Sequence, residues 1–145
     1  MNAVEQAVTT FESGFSCSQA VLSAFAARFG LDPVLGLRVG GGFGGGIARL
    51  GKTCGAVTGA IMVIGLKEGQ VQAQDEEAKE RTYTLVRELV SQFTDLHGSI
   101  ACRDLLGLDL SRPEELAKAR QEDLFHTRCP AFVRDAAKIL ETLIA

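Results

Sequence analysis

An all-α fold, an irregular multi-helix bundle around a buried central helix, is predicted for this chain by three observations. Apolar residues recur at three- and four-residue spacing through most of the sequence. No segment sustains the period-2 alternation of a half-buried strand. Glycines, prolines and capping residues divide the chain into segments of helical length. The 145 residues suit one four-cysteine helical domain, 1–145, with enough core to fold without disulfide staples.

The elements follow in order. Residues 3–12 carry Val4, Ala7, Val8 and Phe11 on one helical face, and Gly14 stops them. Ser16 with Gln19 three residues on forms a capping box for a second helix from Cys17 to Phe29. Asp32-Pro33 starts a short helix over about 33–39, since Pro is welcome in a first turn. Six of the seven residues from Gly40 to Gly46 are glycine, so this tract is a loop, used for flexibility or for close backbone approach.

A helix over roughly 54–67 is apolar on all sides and is therefore the buried one. Its Gly55 and Gly59 permit a second backbone to pack closely, and the apolar face from Gly59 to Leu66 also suits a homodimer contact. Residues 75–96 form a longer amphipathic helix, with Tyr83 in or near the core and Asp75 to Glu80 solvated. Ser99 caps a short helix from Ile100 to Leu106. Ser111 caps another over about 113–125. Cys129-Pro130 opens the last, through Leu143.

Composition narrows the function. Hydrophobic residues make up 46% and charged residues 23%, and the net charge is −3 with no run of Lys and Arg, so the basic face that nucleic acid needs is lacking. The most apolar stretch, Ala60 to Leu66, is far shorter than the roughly 20 residues of a membrane span. The N-terminus lacks a basic start followed by an apolar core, so a cytoplasmic location is expected. Thiols stay reduced there, and four cysteines then read as redox thiols or metal ligands.

Those cysteines are Cys17, Cys54, Cys102 and Cys129, with no CxxC pair among them. Each falls at a predicted helix start, where free N–H groups and the helix dipole favour an anion. A cysteine so placed is expected to have a stabilised thiolate, the form that attacks disulfides and binds metals. If the four helix starts converge, they make a thiolate pocket.

Phe15 to Leu22, Gly42 to Gly46, the Cys54-Gly55-Ala56-Val57-Thr58-Gly59 element, Cys102 to Gly107 and Cys129 together resemble the C_GCAxxG_C_C family. The resemblance covers nearly the whole chain, with all four cysteines in order. Members of that family are described as redox-active on the strength of these cysteines. Similar segments occur in proteins of the split-Soret cytochrome c type, which carry an iron–sulfur centre, so the resemblance implies a cluster as a cofactor here. The chain has no CxxCH for covalent haem.

Two other motifs carry less. Gly46 to Thr53 fits the P-loop pattern GxxxxGK(S/T), but the buried strand that must precede it is not predicted. Gly40, Gly42 and Gly45 fit GxGxxG without a βαβ unit. A better use for Gly44, Gly45 and Gly46, with Gly55 and Gly59, is to bring backbone N–H groups up to a cluster or a small anion. Lys52 and Arg49 add positive charge nearby. His97 and His126 read as helix-end histidines rather than ligands.

The sequence therefore predicts a thiol-based redox protein that either cycles between dithiol and disulfide or holds an iron–sulfur cluster for electron transfer, with a partner redox protein. The alternative is a zinc-type carrier or sensor, its metal held by the four cysteines, without turnover. Four cysteines permit three pairings, and sequence does not choose among them.

Overall fold

The helical periodicities resolve into nine α-helices in a computed structural model that describes all 145 residues. They are α1 (Ala3–Glu12), α2 (Cys17–Ala26), α3 (Pro33–Val39), α4 (Gly55–Glu68), α5 (Glu76–His97), α6 (Cys102–Leu106), α7 (Pro113–Gln121), α8 (Leu124–Thr127) and α9 (Cys129–Leu143). The all-α expectation holds, and the one β feature is an isolated antiparallel bridge between Thr53 and Ala101. No helix is long and apolar enough to cross a membrane.

Helix α4 is the hub. It packs on α2, α5 and α9, while α1 closes over α2 and α9. Its first three turns are mostly buried, and its last turn emerges at Leu66 and Lys67. Phe25 and Leu22 from α2, Ile64 from α4, Leu89 and Phe93 from α5, and Leu140 from α9 are fully buried in one continuous cluster. Each such side chain contributes about 1.5–3 kcal/mol by leaving water.

Gly55 and Gly59 set the α2–α4 crossing. A methyl at Gly55 would lie 2.9 Å from the Ser18 amide nitrogen and 3.2 Å from the Cys17 Cβ. The close approach read from these glycines is thus used within the chain, against α2.

Hydrogen bonds then fasten the glycine tract to α2. Ser16 and Gln19 complete the capping box, and the Gln19 side-chain amide also donates to the Leu37 carbonyl at 3.0 Å. The Ser18 hydroxyl, fully buried, donates to the Gly40 carbonyl at 2.8 Å.

The tract itself is more ordered than its composition suggests. Gly40–Gly42 form a 3-10 turn. Beyond it, Gly45, Gly46, Ile47, Ala48 and Arg49 all have positive φ, between 48° and 71°. The chain there coils left-handed, closed by Arg49 N–H to Gly44 O, Gly51 N–H to Gly45 O and Lys52 N–H to Gly46 O. Three of the five carry a Cβ, which costs roughly 1–2 kcal/mol per residue in this region. No strand precedes Gly46, so the P-loop spelling of Gly46 to Thr53 has no P-loop structure.

Other expectations are corrected in detail. The helix placed at 113–125 is two helices, broken where Asp123 turns left-handed at φ 58°. Ser111 does not cap α7, because its hydroxyl bonds Asp109 at 2.6 Å, and Arg112 holds the cap position. Ser99 accepts from the Ala101 N–H rather than from within α6. Tyr83 is 49% exposed, on the outer side of α5.

Candidate functional site

All four cysteines stand at helix starts, as the sequence predicts. Cys17, Cys102 and Cys129 are the first residues of α2, α6 and α9, and Cys54 is the N-cap of α4. Cys54, Cys102 and Cys129 are buried, Cys17 is half-buried, and none is in a disulfide. All four line one cavity of about 670 Å³.

Local structure explains the convergence. The α2–α4 crossing brings Cys17 beside Cys54, and α9 delivers Cys129 next to Cys17. Cys54 and Cys102 are linked differently. The Cys54 N–H donates to the Ile100 carbonyl at 2.7 Å and the Cys102 N–H to the Lys52 carbonyl at 2.6 Å. Side chains alternate along an extended ribbon, so Cys54 and Cys102, each one residue past the Thr53–Ala101 bridge, share a face. They are diagonal neighbours, a relationship that typically sets residues roughly 7–8 Å apart.

The thiols are not equivalent. Cys54 has its pKa lowered, chiefly by the Cys17 thiol, and further by the Ala56 and Val57 N–H groups that face its sulfur from the first turn of α4; burial opposes both. Cys17 is shifted the opposite way. The neighbouring thiols of Cys129 and Cys54 and its own burial hold it well above the ordinary thiol value. Burial pushes Cys102 up to about 12, with the nearby Cys54 and Cys129 adding to the shift. Helix-start placement alone thus does not make a thiolate. Cys54 takes the charge, and Cys17 and Cys102 stay protonated against it.

Backbone completes the wall. Gly44, Gly45 and Gly46 line the cavity beside the cysteines, and their N–H groups make no hydrogen bond within the protein. Gly46 is tightly wedged: a methyl there would lie 2.7 Å from the Cys102 Cβ. Gly55 also lines the cavity, whereas Gly59 does not and serves only the contact with α2. Arg49 and Arg120 reach the cavity, and neither has an ion-pair partner.

Both histidines are engaged elsewhere. His97 bonds Asp135 at 2.8 Å and stacks against Phe93 and Phe132. His126 lines the cavity mouth and bonds Asp123 at 2.6 Å, a placement that sequence reasoning missed. Its nearness to Cys129 in sequence is the one signal of that placement.

Fold and site together define a class: an all-α protein with four thiols gathered from four helix starts onto one glycine-walled cavity. The chain belongs to the family described as "Putative redox-active protein (C_GCAxxG_C_C)", whose sequence model matches residues 15–143. No curated protein and no solved structure matches it.

Proposed function

We propose that this protein is a thiol–disulfide redox protein in which Cys54 attacks and Cys17 resolves. The observation that carries the reading is that Cys17 neighbours both Cys54 and Cys129 on the wall of one open cavity. The Cys54 thiolate attacks a disulfide R–S–S–R′, forming a mixed disulfide and releasing R′S⁻. Cys17 then attacks the Cys54 sulfur, giving up its proton and releasing RS⁻. The protein is left with a Cys17–Cys54 disulfide, and two substrate thiols have formed. A partner redox protein supplies the two electrons and two protons that reset it, in a cytoplasmic setting that keeps thiols reduced.

The test is oxidation of the reduced protein with diamide, followed by proteolysis without reductant and mass mapping. A Cys17–Cys54 crosslink, lost in Cys17→Ser, is the supporting result. Four thiols that remain free after oxidation would overturn the reading.

A second reading is favoured by one observation: all four cysteines line the same cavity as three glycines whose N–H groups are unpaired. That donor set suits an iron–sulfur cluster, held by Cys17, Cys54, Cys102 and Cys129, with Gly44, Gly45 and Gly46 donating to its sulfurs. A bound cluster would supply one-electron transfer. A single zinc ion fits less well, since no three of these side chains are arranged around one ion. Anaerobic reconstitution with iron and sulfide, read by visible absorption, tests it. Cys102→Ser separates the two readings, because it removes a cluster ligand and leaves the Cys17–Cys54 dithiol intact.

A further inference from the structure

We infer that the cysteine cavity contains an anion-binding subsite, formed by the backbone N–H groups of Gly44, Gly45 and Gly46 with the guanidinium groups of Arg49 and Arg120, which holds the carboxylate or oxyanion group of a small substrate. The inference rests on the thiol–disulfide reading and names the substrate class it implies.

Two independent features support it. The first is a set of orphan donors. In the left-handed coil the carbonyls of Gly44, Gly45 and Gly46 accept bonds from Arg49, Gly51 and Lys52, so their own amides are left at the free end, as at the start of a helix. Gly46 is buried, and an unpaired buried N–H costs about 1–3 kcal/mol unless something accepts from it. Three consecutive glycine amides make the concave donor set that binds anions.

The second feature is charge. The chain is net negative by three, yet the cations at this cavity lack partners. Arg49 and Arg120 come from elements far apart in sequence, and neither is neutralised by a carboxylate. Glu12 is the one acidic residue on the wall against the two arginines, and all three are exposed to solvent. An anionic group seated between the amides and the arginines is the ligand that satisfies both sets at once. The thiols share the wall, so the rest of such a substrate lies against them.

The test compares two alkylating reagents on the reduced full-length protein: anionic iodoacetate and neutral iodoacetamide, with Cys54 modification followed by mass spectrometry. A subsite accelerates the anionic reagent. At fixed ionic strength, which holds screening constant, inorganic phosphate slows iodoacetate and spares iodoacetamide, and acetate does the same if the site takes carboxylates. In R49Q/R120Q the ratio of iodoacetate to iodoacetamide rates falls by about tenfold or more, the loss of charge-assisted hydrogen bonds. Phosphate also shifts the amide resonances of Gly44, Gly45 and Gly46 saturably. A ratio indifferent to phosphate and to both substitutions, with unmoved glycine resonances, overturns the subsite. Normal iodoacetamide reaction in that case leaves the thiol–disulfide reading standing, whereas an unreactive Cys54 counts against that reading itself.

Discussion

A methyl group at Gly59 would lie 2.8 Å from the backbone carbonyl oxygen of Ser18, well inside van der Waals contact. This approach of α4 to α2 puts the start of one helix beside the start of the other, and Cys54 beside Cys17. Gly59→Ala is therefore expected to destabilise the fold by about 1–3 kcal/mol, the usual penalty for forcing packed elements apart. It should also slow diamide-driven closure of the Cys17–Cys54 bond. Gly65→Ala is the control. Nothing lies within 4 Å of a methyl there, so the same change should stabilise by roughly 0.5–1 kcal/mol through helix propensity. Urea melts of both variants check the pair; equal effects would mean that Gly59 is not a packing contact.

The order of thiol ionisation gives a second prediction. Cys54 is lowered chiefly by the Cys17 thiol, while Cys17 is raised by Cys129 first and Cys54 second, so Cys54 ionises before it. Alkylation by iodoacetamide, followed residue by residue against pH, should begin at Cys54 below the ordinary thiol range of about 8.5. Cys17 and Cys102 should lag well above it. Cys17→Ala removes the largest influence lowering Cys54, so the Cys54 profile should move to higher pH. A Cys54 profile that stays put would show that the amides of Ala56 and Val57 act alone.

Much of this architecture was legible because local signals and burial agreed. The Ser16–Gln19 capping box, Asp32-Pro33 and the stop at Gly98 all fall where helices begin or end. The four helix-start cysteines were legible for the same reason. What hid was tertiary. No local rule predicts that Ile47, a β-branched residue, adopts φ +66°, since that conformation is maintained by bonds reaching back to Gly42, Phe43 and Gly44. The unequal pKa values were hidden as well. Helix-start logic treats Cys17 and Cys54 alike, and only their different neighbours in the folded chain distinguish them. Asp123, which splits the predicted 113–125 helix, carries no glycine or proline to announce the break.

Ser18 connects α2 to the glycine tract through a single buried bond, to the carbonyl of Gly40. Ser18→Ala leaves that carbonyl with only the longer bond from the Phe43 N–H at 3.3 Å, at a cost of about 0.5–1.5 kcal/mol. The loosening should concentrate between Gly40 and Gly46. Hydrogen exchange is the measurement: faster exchange confined to the 40–52 segment supports this anchoring role, and uniform acceleration across α2 and α4 contradicts it.

Cys102 gives stability an alkaline limit. Its thiol is pushed up to about 12 in the folded protein by burial, against about 8.5 in an unfolded chain. Below the unfolded value both states hold the proton, and its contribution to stability is complete. Between the two values the unfolded chain releases the proton while the fold retains it, so stability falls as pH rises, and continues to fall until the folded pKa is reached. Cys17, also raised, adds to this slope. Cys54, which is lowered, acts at lower pH and in the opposite sense: its contribution is present above its unfolded value and is lost as pH falls through its folded one. Urea denaturation over roughly pH 8 to 11 should therefore show a declining midpoint. Cys102→Ala should flatten that decline, even though it removes a buried side chain and lowers the midpoint at neutral pH. A variant that keeps the full alkaline slope would mean that Cys102 ionises as freely in the fold as outside it, and that burial does not hold its proton.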